Sequence, residues 1–78
     1  MKKFIVYGPG CAKCKQAEEI VRTAVAESGI AADVEKVSDI QAMVAAGIMS
    51  TPAVSVDGVV KMSGRVPKPE DVKGWLGE

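Results

Sequence analysis

The sequence contains no histidine, only two cysteines and no excess of either charge, ten basic residues standing against ten acidic ones. Without imidazole there is no Ser/His/Asp or Cys/His nucleophile pair and no zinc site of the kind that needs histidine, and two thiols cannot make a four-thiolate centre within one chain. Zero net charge with scattered lysines offers no electrostatic footprint for nucleic acid. Long apolar runs are missing too. No stretch approaches the roughly 20 apolar residues that span a bilayer, and the run Phe4-Ile5-Val6-Tyr7 after Met1-Lys2-Lys3 is too short for the core of a secretory signal. No membrane, no nucleic acid and a reducing, cytoplasmic compartment are the expectations.

What is present is a chain of 78 residues with 47% hydrophobic content, which suits one compact domain over residues 1–78, expected as a monomer. A domain of this size buries only about 60% of the surface its unfolded chain exposes. A bridge between Cys11 and Cys14 would do little to help, because closing so short a loop removes little entropy from the unfolded chain. The pair is better read as chemical than as structural.

Phe4-Ile5-Val6-Tyr7, stopped by Gly8-Pro9-Gly10, reads as a central strand buried on both faces. From Cys11 to about Ser28 no Pro or Gly intervenes, and Cys14, Ala17, Val21, Ala24 and Val25 recur at helical spacing, with Gly29 suited to end that helix. Ala32-Asp33-Val34-Glu35 alternates as a half-buried strand does. Ser38 followed by Gln41 is a capping-box pattern opening a short helix, whose apolar face would hold Ile40, Met43 and Val44. Ala53 to Val56, Asp57-Gly58, and Val59 to Met62 form a hairpin, since Asp-Gly fits a type I′ turn. Pro69 opens a last helix with Val72, Trp75 and Leu76 on one face. The order is β-α-β-α-β-β-α: an α/β fold with a four-stranded mixed sheet and helices on both faces.

Cys11-Ala12-Lys13-Cys14 lies where the buried strand gives way to a helix. Unsatisfied N–H groups and the positive end of the helix dipole there favour a thiolate at Cys11. Lys13 adds a nearby positive charge, and thiols in Cys-X-X-Cys pairs at helix N-termini are characteristically acidified. Cys14, one turn in and on the apolar face, is expected to be the less exposed. Spacing and placement therefore assign Cys11 the attack on a disulfide and Cys14 the resolution of the mixed disulfide that results. The other use of such a pair is to hold a soft metal such as Cu(I) for delivery. Modules of that kind, with a ferredoxin-like fold, also place Cys-X-X-Cys between a first strand and a helix, but should close with a strand where this chain shows a hairpin and a helix.

With Gly8-Pro9-Gly10-Cys11-Ala12-Lys13-Cys14 after the first strand and Gly47-Ile48-Met49-Ser50-Thr51-Pro52-Ala53-Val54 entering the hairpin, the chain resembles the thioredoxin-like superfamily, and most nearly its small, glutaredoxin-sized redox-active disulfide proteins. The resemblance implies a thioredoxin-like fold and thiol-disulfide exchange with protein or small-molecule disulfides, the dithiol being restored by a thioredoxin-reductase-like or other thiol reductant. It implies no metal and no cofactor beyond the Cys11-Cys14 disulfide. It also implies a cis bond before Pro52, that proline lying against the disulfide, and a backbone at Thr51 that pairs with an extended substrate segment. Two departures stand out. Gly10 replaces the tryptophan familiar before the first cysteine, with Ala12-Lys13 between the pair; and no strand carboxylate is available as a proton acceptor, leaving water or Lys13, with Tyr7 a weaker neighbour. Ser63-Gly64-Arg65-Val66-Pro67 stands where glutaredoxins hold the charged end of glutathione, although Arg65 could contact a carboxylate. Met43, Met49 and Met62 are expected as core or loop filler, with a rim for substrate as the second use for Met49.

Overall fold

The computed structural model describes residues 2–10 and 12–77. Along the chain run β1 (Lys2–Tyr7), α1 (Ala12–Ser28), β2 (Ala32–Val37), α2 (Ile40–Ala45), β3 (Ala53–Val56), β4 (Val59–Ser63) and α3 (Pro69–Leu76). This is the expected order, in a sheet with strand order β2-β1-β3-β4. Strand β1 pairs in parallel with β2 and antiparallel with β3, while β4 completes the hairpin.

β1 is central, and its alternation divides the interior in two. Phe4 and Val6, both fully buried, join Val54 and Val56 of β3 beneath α1 and α3, where Ala17, Val21, Ala24, Val72 and Leu76 complete the main core. Ile5 and Tyr7 point the other way, where Tyr7, Ala53, Met43 and Ile48 form a smaller cluster under α2. Helices thus cover both faces, two on one side and a short one on the other. Trp75 packs on the main core but is only partly buried.

Local chemistry fixes the ends. Gly29 takes a left-handed φ of 71° after α1, and the Ser28 hydroxyl donates to the Val25 carbonyl at 2.8 Å while accepting from the Ile30 N–H at 3.1 Å. In the hairpin turn Asp57 and Gly58 both have positive φ, 51° and 87°, as a type I′ turn requires. The Asp57 carboxylate also accepts from the Lys3 N–H at 2.9 Å, tying the turn to β1. Before α3, Asp71 accepts from the Lys68 N–H at 3.1 Å.

Three expectations need correction. β1 begins at Lys2 and β2 extends to Val37, because the parallel register runs unbroken from Lys2 opposite Ala32 to Tyr7 opposite Val37. The longer β2 shifts the cap of α2 from Ser38 to Asp39, whose carboxylate accepts from the Gln41 N–H at 3.0 Å. And of the expected apolar face of α2 only Met43 is buried; Ile40 and Val44 are 66% and 69% exposed. A six-residue helix meets the sheet with little more than one turn, so residues four apart on its outer side stack in solvent.

Candidate active site

The C-terminal end of β1 is where the chemically interesting residues meet. Gly8 continues the ladder beyond the strand by donating its N–H to the Val37 carbonyl at 2.9 Å. Gly10 has a φ of 97° with open space around it, so glycine is needed there for its backbone and not for room. Cys11 lies outside the described residues. α1 then starts at Ala12, with Ala12 and Lys13 exposed and Cys14 completely buried. The burial of Cys14 follows from helical periodicity, since it heads the stripe that continues through Ala17, Val21 and Ala24.

From the opposite direction comes the loop that leads into β3. The Thr51-Pro52 peptide bond is cis, as the resemblance implies. Tyr7 pairs with Ala53, so Pro52, one residue earlier, stands beside Gly8, one residue later, at the same end of the antiparallel pair. The Pro52 carbonyl accepts from the Gly64 N–H at 3.0 Å, binding this loop to the one after β4. Pro52 is buried and Thr51 half-buried.

Of the remaining candidates, Lys13 is solvent-exposed, and Tyr7 is 8% exposed within the cluster beneath α2. Arg65 is exposed in the loop after β4. Met43 is core filler as expected, whereas Met49 is 97% exposed. Together with Ile40, Met43, Val44, Gly47, Ile48 and Thr51, Met49 lines an open groove of about 530 Å³. The outward turn of Ile40 and Val44 is what makes this groove aliphatic, and the sequence pattern that suggested a buried face gave no sign of it. A second residue escaped notice: Gly8, which reads in sequence as mere punctuation, lies directly against the Cys14 side chain.

The model of the family described as the thioredoxin domain matches residues 1–77. The chain belongs to the thioredoxin family. It is 41% identical over 76 residues to a thioredoxin of Methanothermobacter thermautotrophicus, covering 97% of this chain and 99% of that one. It is 40% identical over 71 residues to a thioredoxin of Methanocaldococcus jannaschii, covering 91% and 81% respectively. Membership of the family makes the chain a thiol-disulfide oxidoreductase. Within this thioredoxin-family fold no acidic residue occurs along β1. Among the described residues no group of three or more His, Cys, Asp or Glu side chains is arranged to hold a metal ion, and no helix is long and apolar enough to cross a membrane.

Proposed function

We propose that this protein reduces or exchanges protein disulfides through Cys11 and Cys14, with Cys11 as the attacking and Cys14 as the resolving thiol. The observation that carries the assignment is the burial of Cys14 at 0% exposure. A disulfide arriving from solvent cannot reach a sulfur with no accessible surface, so entry falls to the other member of the pair. In the first step the Cys11 thiolate attacks a substrate sulfur, a mixed disulfide forms and one substrate thiolate departs. Cys14, deprotonated, then attacks the Cys11 sulfur; the Cys11-Cys14 bond forms, the mixed disulfide breaks, and the second substrate thiolate takes a proton from solvent. The substrate gains two electrons and the protein loses two, which a thiol reductant returns.

Gly10 and Lys13 belong to this proposal as tuning residues, the first by the left-handed backbone that leads into Cys11 and the second by its charge. Tyr7 supports the end of β1 from beneath. Thr51 and Pro52 belong to the proposal as substrate-binding residues: Thr51 borders the aliphatic channel with Met49, Val44 and Ile40, and the buried Pro52 follows it through the cis bond. The occupant that suits such a channel is an extended segment of a protein substrate with an aliphatic side chain near its cysteine. Among the described residues no charged side chain lines the groove, which disfavours small disulfides with ionised ends. For Met49→Asp the ratio of kcat/KM on a protein disulfide to that on a small neutral disulfide is expected to fall about tenfold, the equivalent of roughly 1.4 kcal/mol of lost apolar contact. An unchanged ratio would exclude this groove from substrate contact.

The proposal as a whole is tested by equilibrating the protein in dithiol buffers of stepped potential, alkylating and weighing the products. A potential between about −180 and −290 mV is the expected result for an exchange catalyst. Resistance to reduction below about −300 mV would make the bridge structural. Failure to form a bridge at any potential would overturn the exchange chemistry and favour a dithiol that holds Cu(I).

A further inference from the structure

Gly8 and Gly10 flank Pro9, and the two glycines serve different needs. Gly10 has a left-handed φ and, its chain neighbours apart, no described residue within 4 Å of where a Cβ would be. Gly8 is the reverse. Its φ lies outside the positive range that only glycine adopts readily, so its backbone would accept any L residue. Space is what it lacks: a Cβ at this position would collide with the Cys14 Sγ and stand 2.6 Å from the Cys14 Cβ, though an ordinary 3.7 Å from the Cys14 Cα. The Cys14 sulfur therefore occupies the volume that a side chain at residue 8 would fill.

We infer that Gly8 is the positioning residue for the resolving thiol, its missing side chain forming the seat in which the Cys14 sulfur is held. The inference rests on the proposal that Cys14 resolves the mixed disulfide. Gly8 cannot retreat to make room for a methyl group, because its N–H is bonded to the Val37 carbonyl at 2.9 Å and the next residue back, Tyr7, is fixed between Val37 and Ala53. Cys14 cannot easily retreat either. It is fully buried, and three residues on, Ala17 is locked into the main core with Val21 and Phe4. Any side chain at residue 8 must then rotate the Cys14 sulfur off its seat or lift the first turn of α1. Thiol-disulfide exchange requires access of the attacking sulfur to a particular partner sulfur, so the step that suffers is resolution. Attack by Cys11 on the substrate needs no movement of Cys14.

The test is rapid mixing of reduced protein with a peptide disulfide, acid quenching at intervals and mass analysis, which follows formation and decay of the mixed disulfide separately. For Gly8→Ala the mixed disulfide should form at a rate within about threefold of the parent and decay about tenfold or more slowly. Decay at the parental rate, or equal slowing of both steps, would overturn the inference and leave Gly8 a packing residue only. If Gly8→Ala does not fold, the exchanged pair Gly8→Ala with Cys14→Gly decides the matter. That pair removes both close atoms and leaves only the ordinary contact at 3.7 Å. Its folding would support the seat, and its failure to fold would overturn it. A parent protein that forms no mixed disulfide on Cys11, and whose Cys14→Ser variant traps none, would remove the underlying reading and the inference with it, an outcome distinct from any shown by the Gly8 variants alone.

Discussion

Cys14→Ser is expected to leave the protein covalently joined to its substrate. The substitution keeps size and shape, so the first turn of α1 should still pack against Gly8, but a serine hydroxyl has no ionised population at neutral pH with which to attack the Cys11 sulfur. The mixed disulfide then persists until an external thiol cleaves it, and turnover falls by about a hundredfold or more. Cys11→Ser should behave differently. It removes the entering nucleophile, and because the Cys14 sulfur has no accessible surface, the remaining thiol cannot substitute for it. Exchange should drop by at least about a thousandfold with no adduct formed. Non-reducing electrophoresis and intact mass after incubation with a disulfide-bonded protein distinguish the two patterns. Adducts on Cys14 in Cys11→Ser, or activity in that variant near the parental level, would reverse the roles.

The parts of this molecule that were legible in sequence are those with several periods of pattern. α1 repeats its buried stripe through Cys14, Ala17, Val21 and Ala24, enough turns for a helix to declare its inner face. The hairpin is announced by Asp57-Gly58, because few residue pairs take two consecutive positive φ values at low cost. The central place of β1 was legible separately, from the continuous apolar run Phe4-Ile5-Val6-Tyr7. α2 could not be read in the same way. With Ile40, Met43 and Val44 in six residues, the sequence is compatible with more than one inner face, and tertiary contact chooses Met43. The choice between Ser38 and Asp39 as cap is likewise undetermined locally, both being good acceptors; it is settled by how far β2 follows β1, a long-range fact. At the site, the cysteine pair and Thr51-Pro52 stand out as motifs. Gly8 does not, because a glycine required for space and one required for φ look identical in a sequence, and Gly8-Pro9-Gly10 contains one of each.

Phe4→Ala should cost about 3–5 kcal/mol of stability, which for a chain of this length is a large fraction of the total. At roughly 0.05–0.15 kcal/mol per residue, 78 residues hold about 4–12 kcal/mol in total. Phe4 is fully buried at the centre of the main core and contacts a cluster drawn from α1, α3 and β3. Among the described residues Phe4 is the one fully buried aromatic ring of that core: Tyr7 faces the opposite side of the sheet, and Trp75 packs against the cluster only partly buried. The cluster that would have to relax into the cavity is rich in valine (Val6, Val21, Val54, Val56 and Val72), β-branched side chains that are stiff at χ1 and poor at filling a ring-sized void. Urea denaturation should show the midpoint falling steeply with the slope m unchanged. Ile40→Ala supplies the contrast: an aliphatic side chain 66% exposed whose loss should change stability by no more than about 0.5 kcal/mol. If Phe4→Ala costs less than about 1 kcal/mol, the main core is not what clamps α1 to the sheet. The rigid backing invoked for the Cys14 sulfur would then have to come from the short loop Gly8-Pro9-Gly10 alone.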